Sequence, residues 1–203
     1  MINLRDDVPN RRKIPLKNNY RKYREELESD FNQRCGYCDD SSEFAERISF
    51  QIDHFAPKSK FPKLKNCYGN LVFACHICNR NKHDHWVGND PSVPKNGQEG
   101  FIDPCLEEYD THLSRDTKGR IFSKTPLGEY MVMRLSLSDV RHKYLWRARR
   151  FRKLRTDTKK ELNELRCSEL NQDDKDKKIE ILETIQHYTE EIEKYEGLAQ
   201  KNN

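Results

Sequence analysis

Four of the seven cysteines form two close pairs, Cys35-Gly36-Tyr37-Cys38 and Cys75-His76-Ile77-Cys78, with 36 residues between them. Each Cys-x-x-Cys turn can offer two thiolates, and four thiolates close a tetrahedral zinc shell with no position left for substrate. Such a site is structural, and metal binding then contributes directly to folding. Cys67, Cys105 and Cys167 remain outside the pairs and read as small buried side chains. An odd cysteine count, without an apolar leader in Met1–Asp7, argues against a disulfide framework and against secretion. The remaining chemistry-bearing residues lie between and just after the pairs: Asp53-His54, Asn70, and Cys78-Asn79-Arg80-Asn81-Lys82.

These residues need elements to position them. The chain has 203 residues, 35% charged and 34% hydrophobic, a length that fits one ordinary domain or a small domain with appendages. Its longest apolar runs, such as Leu71–Cys75, are too short to span a bilayer, so a cytoplasmic protein is expected. Residues 1–20 read as an extended arm and Asn18–Phe31 as an amphipathic helix. Ile48–Ile52 alternates and ends at Asp53-His54 as a strand, and Asn70–Ala74 forms a second strand after a loop rich in Lys and Pro. A short helix is expected from Asn79 to about Trp86, and turns across 88–104. A strand pair turned at Lys118-Gly119 follows, then helices over Leu127–Leu135 and Ser138–Arg155. Two further helices in an antiparallel pair are expected to turn at Asn171–Asp174.

The segment from Cys35 to about Lys82 resembles the HNH nucleases. It carries Asp53-His54, a spaced Asn70-Leu71 and Cys75-His76-Ile77-Cys78-Asn79-Arg80-Asn81-Lys82 in the order strand, loop, strand, helix. The resemblance implies an α+β fold: a small ββα-metal core stapled by a Cys₄ zinc site, embedded in a mostly helical chain with a C-terminal helical hairpin. It also implies hydrolysis of DNA phosphodiesters to 5′-phosphate and 3′-hydroxyl ends. His54 would be the general base, since an imidazole titrates near neutral pH. Asp53 and Asn79 would hold the catalytic ion, and Asn70 would brace the loop. Asn stands where much of the family has a final His, and an oxygen-only pair favours Mg²⁺ or Mn²⁺. Lys82, Lys58 and Arg80 are candidate phosphate contacts.

Eight basic side chains fall in the first 24 residues and eight more in 141–155, whereas acids gather towards the end of the chain. Patches of this kind point to a polyanionic partner or to solvated helix faces. In 141–155, Arg147 and Arg150 are interleaved with Tyr144, Trp146 and Phe151 and are candidate DNA contacts. The expected divisions are 1–31 (arm and helix), 32–90 (nuclease core), 91–155 (supporting segment and basic helix) and 156–203 (helical extension). This layout is similar to the PtuB nucleases of Septu anti-phage systems, which implies an SMC-like or ABC-type ATPase as companion. The C-terminal helices would then be a partner or dimer surface, or a hairpin burying its own seam. A non-catalytic zinc-ribbon module that binds nucleic acid, an HNH nuclease from a restriction system or a mobile element, and an RNA-directed HNH nuclease are the competing readings.

Overall fold

The computed structural model describes residues 2–42, 50–165 and 172–202. They form two compact units, Met1–His142 and Lys143–Asn203. The first combines small antiparallel sheets with short helices, and the second is helical.

In the first unit a 3₁₀ turn, Tyr20–Tyr23, leads into α1 (Arg24–Asp30). Strands β1 (Phe50–His54) and β2 (Leu71–Cys75) pair antiparallel, with Asp53 opposite Val72 and His54 opposite Leu71. All five residues of β2 are buried, as an unbroken apolar run requires when both faces of a strand are covered. Ile48 and Ser49, read as part of β1, lie outside the described residues.

Helix α2 spans His76–Lys82, so it begins three residues before the expected start at Asn79 and ends before Trp86. The reason is local: Cys75 is its N-cap, with Sγ accepting from the Cys78 amide at 3.4 Å. The second cysteine pair is therefore the first turn of the helix, and Asn79 sits inside it. Helix α3 (Tyr109–His112) precedes the pair β3 (Leu113–Arg115) and β4 (Ile121–Ser123), whose turn uses Gly119 at φ 90°. Helix α4 (Pro126–Leu135) starts on a Thr125 cap, with Pro126 in its first turn, and packs on α2.

The N-terminal arm is not a free basic tail. Ile2 adds a bridge to Arg115 of β3, Leu4 is buried, and Arg5 pairs with Asp110 at 2.6 Å. Arg11 binds Asp103 and the Leu71 carbonyl, and Arg12 pairs with Asp30. Much of the arm's positive charge is thus matched within the unit rather than held for a polyanion.

The second unit contains most of α5 (Val140–Leu165), which runs ten residues past its expected end, and α6 (Gln172–Lys201). Gln172–Asp174, read as a turn, form the first turn of α6, where acidic side chains favour the helix dipole; Asn171 lies outside the described residues. The helices bury Leu145, Trp146, Ile192 and Tyr195, and the Phe151 ring stacks on Tyr195 at 5.9 Å. Among the candidate DNA contacts of α5, the Arg147 guanidinium lies 4.6 Å from the Tyr195 ring and Arg150 lies 4.9 Å from Trp146. No helix among the described residues is long and apolar enough to cross a membrane.

Candidate active site and metal centre

The two cysteine pairs meet in the interior. Cys35, Cys38, Cys75 and Cys78 are all buried, and their sulfurs lie within 4.8 Å of one another. The Cys38 and Cys75 sulfurs are 3.7 Å apart. A tetrahedron with bonds of ~2.3 Å from zinc to sulfur has edges of about 3.8 Å, so the cluster has the size of a tetrathiolate metal site. Burial pushes the Cys38 thiol well up, while Cys75 is drawn well down as the acceptor for Cys35, Cys38 and Cys78. In that dry pocket one thiolate is supported by its neighbours, and full ionisation calls for a cation. The first knuckle is held against β2 by the Gly36 amide, which donates to the Phe73 carbonyl at 2.9 Å. A side chain on Gly36 would come within 2.7 Å of the Phe31 ring, so this approach requires glycine.

Around the thiols lies a set of buried charges that the sequence reading did not single out. Asp40 Oδ2 accepts from His142 Nδ1 at 2.7 Å and pairs with Arg141 at 3.5 Å. Burial opposes ionisation of Asp40, but His142 and Arg141 hold its carboxyl below the usual range. Cys38 lies within 4.8 Å of the ligand atoms of Asp40 and His142. Arg115, fully buried, donates to the carbonyls of Cys38, Gly119 and Leu4 and so ties the knuckle to the arm.

Beside this cluster the packing of α2 on β1 brings the other site residues together. Gln51 and Asp53 share one face of β1, as alternate strand residues do. Asn79 and Lys82, three apart on α2, share the facing side. The Asn79 amide nitrogen donates to Gln51 Oε1, leaving Oδ1 as the end of the amide suited to a cation. Lys82 Nζ lies 3.0 Å from Asp53 Oδ2 and donates to the His54 carbonyl at 2.9 Å. Tyr37, inside the first knuckle, donates its hydroxyl to the same Asp53 oxygen at 2.6 Å. Lys82 is 0% exposed. Its expected role as a phosphate contact is therefore corrected: a fully buried ammonium bound to Asp53 is a strut beneath the site. Tyr37 and Gln51 were missed by the sequence reading, although the two-residue spacing of Gln51 from Asp53 was a usable signal.

His54 turns to other neighbours. Its Nε2 lies 2.9 Å from the Lys65 carbonyl, and the Tyr20 ring meets it edge-on at 4.7 Å. A carbonyl can only accept, so Nε2 carries the proton and Nδ1 is the basic nitrogen. Burial lowers the imidazole's pKa, which keeps it neutral at neutral pH. Asn70 is fully engaged with the loop after β1: Oδ1 accepts from the Ala56 amide at 2.8 Å and Nδ2 donates to the Ala56 carbonyl at 2.9 Å. Asp53, His54, Lys58, Asn79, His83 and Asp84 help line one cavity of about 290 Å³. Lys58 and Arg80 are exposed, and Arg80 is not among that cavity's lining residues.

No curated protein and no solved structure matches the chain. A family model does match part of it, and that part is the one containing the four thiols, Asp53, His54, Asn70 and Asn79: residues 35–85 carry an HNH endonuclease domain.

Proposed function

We propose that this chain is a metal-dependent endonuclease that hydrolyses DNA phosphodiester bonds, with zinc in the four-thiol pocket. The carrying observation is the placement of Asp53, His54 and Asn79 around one cavity with the His54 tautomer set by the Lys65 carbonyl. His54 Nδ1 takes a proton from the attacking water as the oxygen–phosphorus bond forms and the bond to the 3′ oxygen breaks. The Lys65 carbonyl holds the Nε2 proton and orients the ring throughout. Asp53 and Asn79 are the residues that would hold Mg²⁺ or Mn²⁺, an ion that polarises the phosphate and offsets charge on the leaving oxygen. Lys82 and Tyr37 keep the Asp53 carboxylate aimed, and Asn70 keeps the following loop in place.

The test is nicking of a supercoiled plasmid with added Mg²⁺ or Mn²⁺. His54→Ala should lower the rate by ~10³-fold while zinc content and DNA affinity stay near wild type. A purified His54→Ala protein that nicks at the wild-type rate overturns the assignment.

A finer reading is that the chain is the nuclease subunit of a bacterial anti-phage defence system working with an SMC-like or ABC-type ATPase. It is supported by the layout of a short nuclease block followed by the paired helices α5 and α6, which would bind the ATPase or a second copy. Co-purification with such an ATPase at low salt would test it. A second reading is favoured by the Lys82–Asp53 pair, which neutralises the carboxylate a catalytic ion needs. Under it the chain is a metal-clamped nucleic-acid binder without catalysis, and the plasmid assay separates the two.

A further inference from the structure

The candidate active site adjoins a trough that residues before 35, Asn18 to Arg21 and Arg24, help to build. One adjoining cavity, about 540 Å³, is bounded by Tyr20, Arg21, Arg24, Gln51, Lys58 and Asn79 among others. Another, about 680 Å³, is bounded by Asn18, Tyr20, Arg21, Lys58, Lys65 and Asn66 among others. Lys58 lines both of these and the active-site cavity as well, so the three spaces share this residue.

Charge is sorted along this trough. The carboxylates of Asp53 and Asp84 line the small cavity. Among the described residues bounding the two larger ones there is no Asp or Glu, while Arg21, Arg24, Lys58 and Lys65 are present. A divalent ion needs acidic oxygens where the bond is cut; the phosphates on either side need cations. The sorting therefore matches a strand whose scissile phosphate sits in the small cavity and whose flanking phosphates run along the large ones.

The cationic wall is also fixed in place. The Tyr20 amide donates to Asn66 Oδ1 at 3.0 Å, and Asn66 Nδ2 donates back to the Asn18 carbonyl at 3.0 Å. Asn19 caps the turn by accepting from the Arg21 amide. Lys58 Nζ donates to the Tyr20 hydroxyl at 3.4 Å, and the Tyr20 ring abuts His54. The backbone at Tyr20-Arg21 is thus anchored beside the base, whereas the side chains of Arg21, Lys58 and Lys65 remain exposed.

We propose that Arg21 and Lys65, grouped with Lys58 around Tyr20, form the subsite that holds the DNA backbone phosphates flanking the one to be cut. The inference rests on the nuclease reading, but its test does not. Binding of a short fluorescein-labelled duplex is followed by anisotropy against salt concentration, in a His54→Ala background so that nothing is cut. Arg21→Gln with Lys65→Gln should flatten the slope of log affinity against log salt by about 0.9 for each lost contact. The exposed pair Lys63→Gln with Lys118→Gln removes the same net charge outside the trough and should leave the slope near the parent value. Zinc content and the far-UV circular dichroism spectrum check that each variant is folded. An unchanged slope in the Arg21/Lys65 variant, or an equal change in the control pair, overturns the subsite. If the slope shifts as expected but the wild-type chain, with His54 intact, cuts no plasmid, the subsite stands and the nuclease reading fails.

Discussion

Replacing Lys82 with methionine separates two roles that this residue type can play next to a nuclease site. The ammonium is fully buried, 3.0 Å from Asp53 Oδ2 and 2.9 Å from the His54 carbonyl, and it lies 5.7 Å from the Phe101 ring. At an effective dielectric of about 20, charges at that separation attract by about 5 kcal/mol, much of it offset by the desolvation of both groups. Removing only the lysine leaves Asp53 buried with the Tyr37 hydroxyl as its remaining named donor, and breaking a buried pair in this way costs about 3–5 kcal/mol. Methionine keeps an unbranched apolar stem in the same buried position, so the loss is chiefly electrostatic. In a unit the size of Met1–His142 this corresponds to a fall in Tm on the order of 10 °C. Thermal unfolding of the zinc-loaded protein by near-UV circular dichroism reads it directly. Nicking should also suffer through kcat, because Asp53 loses its aim, with KM for plasmid little changed. A variant whose Tm moves by no more than about a degree, with a raised KM, would show that the lysine reaches phosphate after all and refute the strut.

Other perturbations have equally definite outcomes. Asp40→Ala should destabilise the first unit by about 3–5 kcal/mol and speed zinc release to a chelator, because Arg141 and His142 are left buried without their shared carboxylate; a chromogenic chelator assay reads the release. Stripping the metal should abolish the near-UV signal of the first unit while α6 keeps its far-UV helical signal, as expected where metal binding supplies folding energy. Burial lowers the His54 pKa, so the free enzyme's rate should climb with pH through a value below the ordinary imidazole ~6.5 and level off by neutrality; an acid limb centred above ~6.5 would count against His54 as the base. Burial pushes the Cys105 thiol up to about 11, so its alkylation should remain slow at neutral pH and accelerate only towards that value. The exposed Cys67 should react first, as mass spectrometry of iodoacetamide-treated protein would reveal.

What could be read from the chain alone was whatever depends on near neighbours. Two Cys-x-x-Cys turns present paired sulfurs by their own geometry, and the period of the apolar residues marks β2, α4 and the long helices without reference to the rest of the molecule. Asp53-His54 and the residues after Cys78 were legible because their order is local. Even the misplaced start of α2 has a local cause, Cys75 serving as the cap of a helix expected to begin at Asn79. Tertiary structure decided what each charge does. A lysine reads the same in sequence whether it meets a phosphate or a buried aspartate, and only the facing of α2 on β1 turned Lys82 inward. Arg5 is neutralised by Asp110, 105 residues away, and Arg141 and His142 converge on Asp40 across a similar distance. Tyr20 reaches His54 because Asn66 ties the N-terminal turn to the loop after β1. Periodicity is a property of adjacent residues, whereas the partner of a charge is chosen by chain segments that meet only once the fold has closed.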